Sequence, residues 1–355
     1  MLKLKIAFAS VLFFLCASPA FAGLYGYAIH NPPPIPSGAY IGCFANTHGH
    51  ISDRKTALQQ HETDLETQEA AIGRRCAIQL SYYGFRGITS SNIKTDAMIQ
   101  GDITYHRIPL IAWSCGAPLT DIASGLYDVS VIKPAALLLK ALNIPIMVRP
   151  FHEFNLCFAP GHCANGDYGS CFSQPFSNDT AEGAEYIAYF EHLYNVFQSL
   201  GATNVSFVFC PNANAQDVII NDLTKYLPPA PYAAWIAGDG YDKLINSSGT
   251  KVPSEGFQAA LAPFYNTFSF DGRPMMIGET GEYNSSVPPT APWTQAQYWT
   301  DISTTANPSG AFPLLHAVNY FSSEAASPFD WILDSGGLTE MAAVGATPYF
   351  SYMGF

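Results

Sequence analysis

The segment Ile144-Pro145-Ile146-Met147-Val148 is apolar enough for a buried strand, yet Arg149, His152 and Glu153 follow it at once. A second apolar segment, 274–278, runs directly into Glu279-Thr280-Gly281-Glu282. Carboxylates and a histidine mounted on rigid strand ends can exchange protons with a bound molecule or attack it. A carboxylate pair suits glycoside hydrolysis: one acid protonates the leaving oxygen while the other attacks the anomeric carbon or activates water. Glu282, beyond Gly281 and deeper in the loop, is the rival to Glu279.

For the two carboxylates to meet, their strands must end on one face. Short apolar runs at 40–44, 77–82, 108–113, 145–150, 205–210, 233–236, 274–278 and 315–320 read as strands. Most are rich in β-branched or aromatic residues and lack clean alternation, as strands buried on both faces do. Helical periodicity fills several gaps. Ile187, Phe190, Leu193, Tyr194, Phe197 and Leu200 recur at three- and four-residue steps, with Thr180 as a start signal and Gly201 as a stop. The runs 131–142 and 257–268 also read as helices, and 65–74 as a shorter one. Eight strands alternating with helices predict parallel pairing through right-handed crossovers. Eight strands close an α/β fold of the (β/α)₈ TIM-barrel type, whose strand ends share one rim. A doubly wound open sheet is the rival architecture, but no G-x-G-x-x-G follows an early strand.

"RPFHEFN" at the fourth strand and "PMMIGETG" at the seventh resemble glycoside hydrolase family 26. That family belongs to the clan of retaining (β/α)₈ hydrolases with glutamates on strands four and seven. Most members are endo-β-1,4-mannanases; others cut mixed-linkage β-1,3-1,4-glucan or β-1,3-xylan. The resemblance implies that Glu153 is the acid/base and Glu279 the nucleophile, with Arg149 and His152 flanking the acid. It also implies that "GDGYD" (238–242) ends the sixth strand, with Tyr241 bonded to the nucleophile and Asp239 supporting the site. Trp113, ending the third strand, would be a sugar platform or partly core. The sequence departs from the family where a tryptophan commonly follows the acid/base, here Phe158. A second departure is the end of the eighth strand, where Tyr320 or Phe321 must stand beneath the sugar unless Trp331 does.

Charged residues make up 12% of the 355, aromatic residues 14%, and the net charge is −12. Such a chain is a poor electrostatic match for nucleic acid or an anionic membrane surface. Residues 1–22, with Lys3 and Lys5, an apolar run and Ala20-Phe21-Ala22, read as a cleaved secretory signal. The mature chain, 23–355, is then one exported domain, expected to be a monomer, free of the membrane, acting on a polysaccharide or oligosaccharide without metal or organic cofactor. Seven cysteines remain, and an oxidising compartment predicts pairing, including a loop-tying disulfide from Cys157, Cys163 or Cys171. Cys115 and Cys210 each close an apolar run and read as buried thiols. A zinc site of Cys157, His162, Cys163 and Cys171 matches no familiar spacing. A non-catalytic carbohydrate-binding barrel is the rival function.

Overall fold

The computed structural model describes residues 33, 36–48, 51–158, 171–172, 180–213, 222–242, 255–284, 293–323 and 330–355. Residues 1–22, read above as a secretory signal, and His162 and Cys163 lie outside these residues, as do the side chains of Cys157 and Phe158.

Eight parallel strands close a barrel in sequential order. They are β1 (Tyr40–Asn46), β2 (Ile78–Tyr83), β3 (Ile108–Trp113), β4 (Ile146–Pro150), β5 (Val205–Phe209), β6 (Trp235–Asp239), β7 (Met275–Thr280) and β8 (Leu315–Ser323). Each falls on an expected run, and β8 pairs back onto β1 to leave no open edge. The helices are α1 (Arg54–Ile72), α2 (Ser90–Thr95), α3 (Ala97–Tyr105), α4 (Leu119–Ala123), α5 (Lys133–Leu142), α6 (Thr180–Ser199), α7 (Gly256–Phe268), α8 (Gln295–Thr305) and α9 (Ser335–Gly345). Helix α6 starts at the expected threonine, and Gly201 beyond its end takes the left-handed φ of 70° that ends helices cheaply. Helix α1 is much longer than the weak 65–74 periodicity predicts, starting from an Asp53 cap that accepts the Thr56 N–H.

The strands are buried on both faces because two apolar layers meet there. Ile78, Leu80, Ile108, Leu110, Ala112, Met147, Val208, Trp235, Ala237 and Met276 fill the barrel interior. Ile111, Trp113, Ile146, Val148, Phe207, Ile236, Ile277 and Tyr320 face the helices. This division decides two alternatives that the sequence leaves open. Trp113 is fully buried on the helix side, its Nε1–H donating to the Phe85 carbonyl at 3.0 Å while its ring stacks on Phe85, so no sugar can reach it. Tyr320 likewise points outward onto Trp299 and donates to the Glu282 carbonyl. The next residue, Phe321, turns toward the barrel mouth against Phe44.

Two disulfides tie the fold, Cys43–Cys76 between β1 and the entry to β2, and Cys115–Cys171. Cys115 is therefore no free thiol, and Cys171 is lost to the zinc cluster. Cys210 is the buried thiol expected. Such cross-links fit an oxidising compartment. Among the described residues no helix is long and apolar enough to cross a membrane.

Candidate active site

Parity along β4 puts Met147 inside the barrel and Arg149 two residues above it, fully buried. A buried guanidinium requires partners, and β6 and β7 supply them. Arg149 Nη1 donates to Asp239 Oδ1 and Oδ2 at 2.7 and 2.8 Å, and Nη2 donates to Glu279 Oε1 at 2.6 Å. A side chain at Gly278 would meet Asp239 Oδ1 at 2.4 Å and Arg149 Nη1 at 2.8 Å. Only glycine leaves room there for the ion pair.

Simple alternation does not bring Glu279 inward. The register between β6 and β7 shifts at Gly238/Asp239, and that between β7 and β8 shifts between Ile277 and Thr280. Such irregularities re-aim side chains next to active sites. Gly278 and Glu279 thus both face the interior, while Thr280 turns out to meet the Tyr298 hydroxyl. Besides Arg149, Glu279 accepts the Tyr82 hydroxyl on Oε1 at 2.7 Å and the Tyr241 hydroxyl on Oε2 at 2.8 Å. Glu282 lies elsewhere: fully buried, it accepts its neighbour's backbone N–H and sits by the outward-facing Tyr298 and Tyr320.

Glu153 reaches the rim by a different device. Past β4, Phe151 and Glu153 both adopt left-handed backbone, φ 48° and 53°, a conformation costing about 1–3 kcal/mol for each non-glycine residue. Backbone bonds hold it: Phe151 N–H donates to the Trp113 carbonyl and Glu153 N–H to the Cys210 carbonyl, both at 2.8 Å. Asn212, just beyond β5, donates from Nδ2 to Glu153 Oε1 at 2.7 Å. Polar atoms of His152, Glu153 and Asp239 lie within 4.8 Å of one another. Asp239 gives both oxygens to Arg149, whose charge opposes a cation there, so the trio is not a favourable metal site. Phe158 closes the short 3₁₀ turn 154–158 that follows.

Burial alone would raise the Glu279 carboxyl, but Arg149 and the Tyr82 hydrogen bond outweigh it and hold it below the ordinary glutamate value. Burial pushes Asp239 upward, with Arg149 opposing and the Glu279 charge reinforcing the rise. Of these two carboxylates, Glu279 is therefore the one the site keeps ionised over the wider pH range. Burial and the same charge keep the Tyr82 and Tyr241 phenols protonated as donors. His152 is 5% exposed, and burial followed by repulsion from Arg149 pushes its pKa down to about 3. It is neutral during any activity near neutrality.

The His152 shift has a measurable consequence for stability. An unfolded histidine protonates near pH 6.5, whereas the folded one resists until about 3. The unfolded state then binds more protons between those values, so stability falls as pH drops from about 6.5 toward 3. Urea unfolding across that range is expected to show a loss on the order of a few kcal/mol, with a markedly shallower slope in His152→Gln. An unchanged slope would mean that His152 protonates normally in the fold.

Two contributors escaped sequence reasoning, Tyr82 and Asn212. Tyr82 has the parity of Ile78 and Leu80 and sits at the top of β2. Asn212 is the first polar side chain past β5. Both stand at strand ends, the one signal the sequence carries for them, but nothing in it says which way either side chain turns. The half-buried Phe321 and the largely buried Trp331 frame Tyr241, with Trp331 stacked on it at 4.4 Å between ring centres.

No family model matches the chain. Its fold resembles solved structures along nearly its whole length. The catalytic domain of a Bacillus sp. JAMB-750 endo-β-1,4-mannanase superposes with a TM-score of 0.60 at 15% identity, covering 89% of this chain and 88% of that one. The modular endo-β-1,4-mannanase of Cellulomonas fimi gives 0.56 at 14% identity, covering 91% and 76%. A β-mannanase from Bacteroides ovatus gives 0.53 at 14% identity, covering 88% and 90%. All three neighbours belong to glycoside hydrolase family 26. At these identities the likeness is one of fold. In sequence, the chain is 30% identical to Endoglucanase H of Acetivibrio thermocellus over 185 residues, half of this chain and 19% of that protein. The chain thus spans about a fifth of the curated relative it matches.

Proposed function

We propose that this protein is an exported, monomeric, retaining endo-β-glycosidase of family 26 type, most at home on β-1,4-mannan. The observation that carries the reading is a pair of glutamates at the ends of β4 and β7: Glu279 held ionised by Arg149, and Glu153 held by Asn212. The Glu279 carboxylate attacks the anomeric carbon as Glu153 gives its proton to the departing glycosidic oxygen, leaving a glycosyl-enzyme ester. Glu153, now a carboxylate, takes a proton from water. The resulting hydroxide equivalent attacks the anomeric carbon, releases Glu279 and restores the acid. Arg149 and Tyr82 stay on Oε1 and can share its charge in both steps, while Tyr241 steadies Oε2. Sugar rings would stack at the mouth on Phe321 and beside the Tyr241–Trp331 pair, in place of Trp113 and Tyr320. The two disulfides support export, in keeping with the leader-like residues 1–22.

A second substrate reading, a mixed-linkage β-glucan, is favoured by the sequence match to an endoglucanase. The test is reducing-end release from β-1,4-mannan, β-1,3-1,4-glucan and β-1,3-xylan, with Glu153→Ala as control. Mannan is expected to give the highest rate, and the variant to lose on the order of 10²–10⁴-fold. A preference for glucan would replace the substrate and keep the chemistry. Release from none of them, with binding retained, would turn the reading into a carbohydrate-binding barrel.

A further inference from the structure

The segment after β5 takes no part in bond making or breaking, yet it touches the acid/base through both backbone and side chain. The Cys210 carbonyl accepts the Glu153 N–H, and Asn212 Nδ2 donates to Glu153 Oε1 at 2.7 Å. Asn212 is itself fixed by a reciprocal clamp. Its N–H donates to Asn155 Oδ1 at 2.7 Å, and its carbonyl accepts Asn155 Nδ2 at 2.9 Å. Both asparagines are buried, and a parallel bridge to Asp239 ties the segment to β6. The side-chain amide is thus aimed by bonds that do not involve it.

An amide N–H favours a carboxylate over a carboxylic acid, since only the charged form accepts it at full strength. We infer that Asn212 is a positioning residue that holds the Glu153 carboxyl toward the bond to be cut and steadies its charged form. It thereby sets where in pH the acid/base changes state. The inference rests on Glu153 being that acid/base. The donor favours the second step, in which Glu153 must act as a base, and opposes an upward drift in pKa near other carboxylates. The titratable groups around Glu153 are His152 on its own strand end, Cys210 just past β5, Asp239 ending β6 with Tyr241 beyond it, and Glu279 on β7, with Arg149 as the cation among them. Asp239 and Glu279 are the neighbouring carboxylates, and Arg149 neutralises part of their charge. His152 is neutral, and the Cys210 thiol is held protonated by burial.

The test compares wild type with Asn212→Ala and Asn212→Asp. The clamp to Asn155 uses only the backbone of residue 212, and the aspartate keeps the native shape, so folding should survive. The Glu153 carboxyl is titrated directly by ¹³C NMR and assigned by its loss in Glu153→Gln. Its midpoint is expected to rise by about one unit in Asn212→Ala, and further in Asn212→Asp, where a second negative charge faces it. The alkaline limb of kcat/KM should move by the same amount. The rate on polysaccharide should fall about tenfold or more, with much less loss on aryl glycosides whose leaving groups need no proton. A Glu153 midpoint unmoved in both variants would overturn the inference, as would equal losses on both substrate types with a fixed alkaline limb. The NMR titration does not depend on turnover, so it judges Asn212 even if every polysaccharide proves inert and the proposed function falls.

Discussion

Glu279→Ala is expected to reduce turnover on the best polysaccharide by on the order of 10⁴-fold or more, while the protein stays folded and still binds sugar. The loss is large because the nucleophile is absent and no described neighbour can replace it: Glu282 is buried among Tyr298 and Tyr320 on the helix side. Stability should hold because Arg149 keeps its bidentate partner Asp239. Removing Glu279 also takes away a negative charge that Asp239 must otherwise tolerate. Thermal unfolding is expected to be unchanged or slightly higher. Azide, small enough for the space left, should restore part of the activity by attacking in place of the carboxylate. A variant that keeps more than a few per cent of wild-type turnover would remove Glu279 from the mechanism.

Arg149→Met is expected to damage both activity and stability. It leaves two buried carboxylates, Asp239 and Glu279, facing each other without their cation. Breaking a buried ion pair from one side costs about 3–5 kcal/mol, readable as a drop in urea midpoint. Part of this will be avoided because Glu279 takes up a proton. That escape is what removes activity, since a protonated carboxyl is a poor nucleophile. The acidic limb of kcat/KM should therefore rise toward neutrality in Arg149→Met. A variant with normal stability and an unmoved acidic limb would show that Tyr82 and Tyr241 suffice to hold Glu279 ionised.

Much of the fold was legible because its strands are short apolar runs between helical periods, and all eight fall where those runs lie. What the runs do not disclose is which way each side chain points. A strand buried on both faces has no polar side to mark its parity, so Trp113 and Tyr320 look equally fit for the mouth or for the helices. Both went to the helices. Phe321, one residue on, has the inward parity. The arrangement of Arg149, Asp239, Tyr241 and Glu279 could be anticipated because their charges and hydroxyls stand out at strand ends. Tyr82 could not be singled out, since a tyrosine beside Tyr83 in an apolar run looks like core. Asn212 was hidden by distance, its contact with Glu153 arising only when β4 and β5 lie side by side. The irregular register that turns Glu279 inward has no mark in the sequence beyond Gly278, which leaves room for the ion pair beneath it. Cysteine pairing was equally non-local: Cys115 closes an apolar run as Cys210 does, and only the fold brings Cys171 to it.

The central claim, that Glu279 forms a covalent bond with the sugar, is most directly tested by trapping it. Wild-type protein would be incubated with 2-deoxy-2-fluoro-β-mannosyl and -glucosyl fluorides, whose glycosyl-enzymes turn over slowly, and then digested for peptide mass mapping. The account predicts a single fluoroglycosyl adduct on the peptide carrying Glu279, localised to that residue by fragmentation and absent in Glu279→Ala. An adduct on Glu282 or Glu153, or polysaccharide hydrolysis that releases the inverted anomer first, would contradict it.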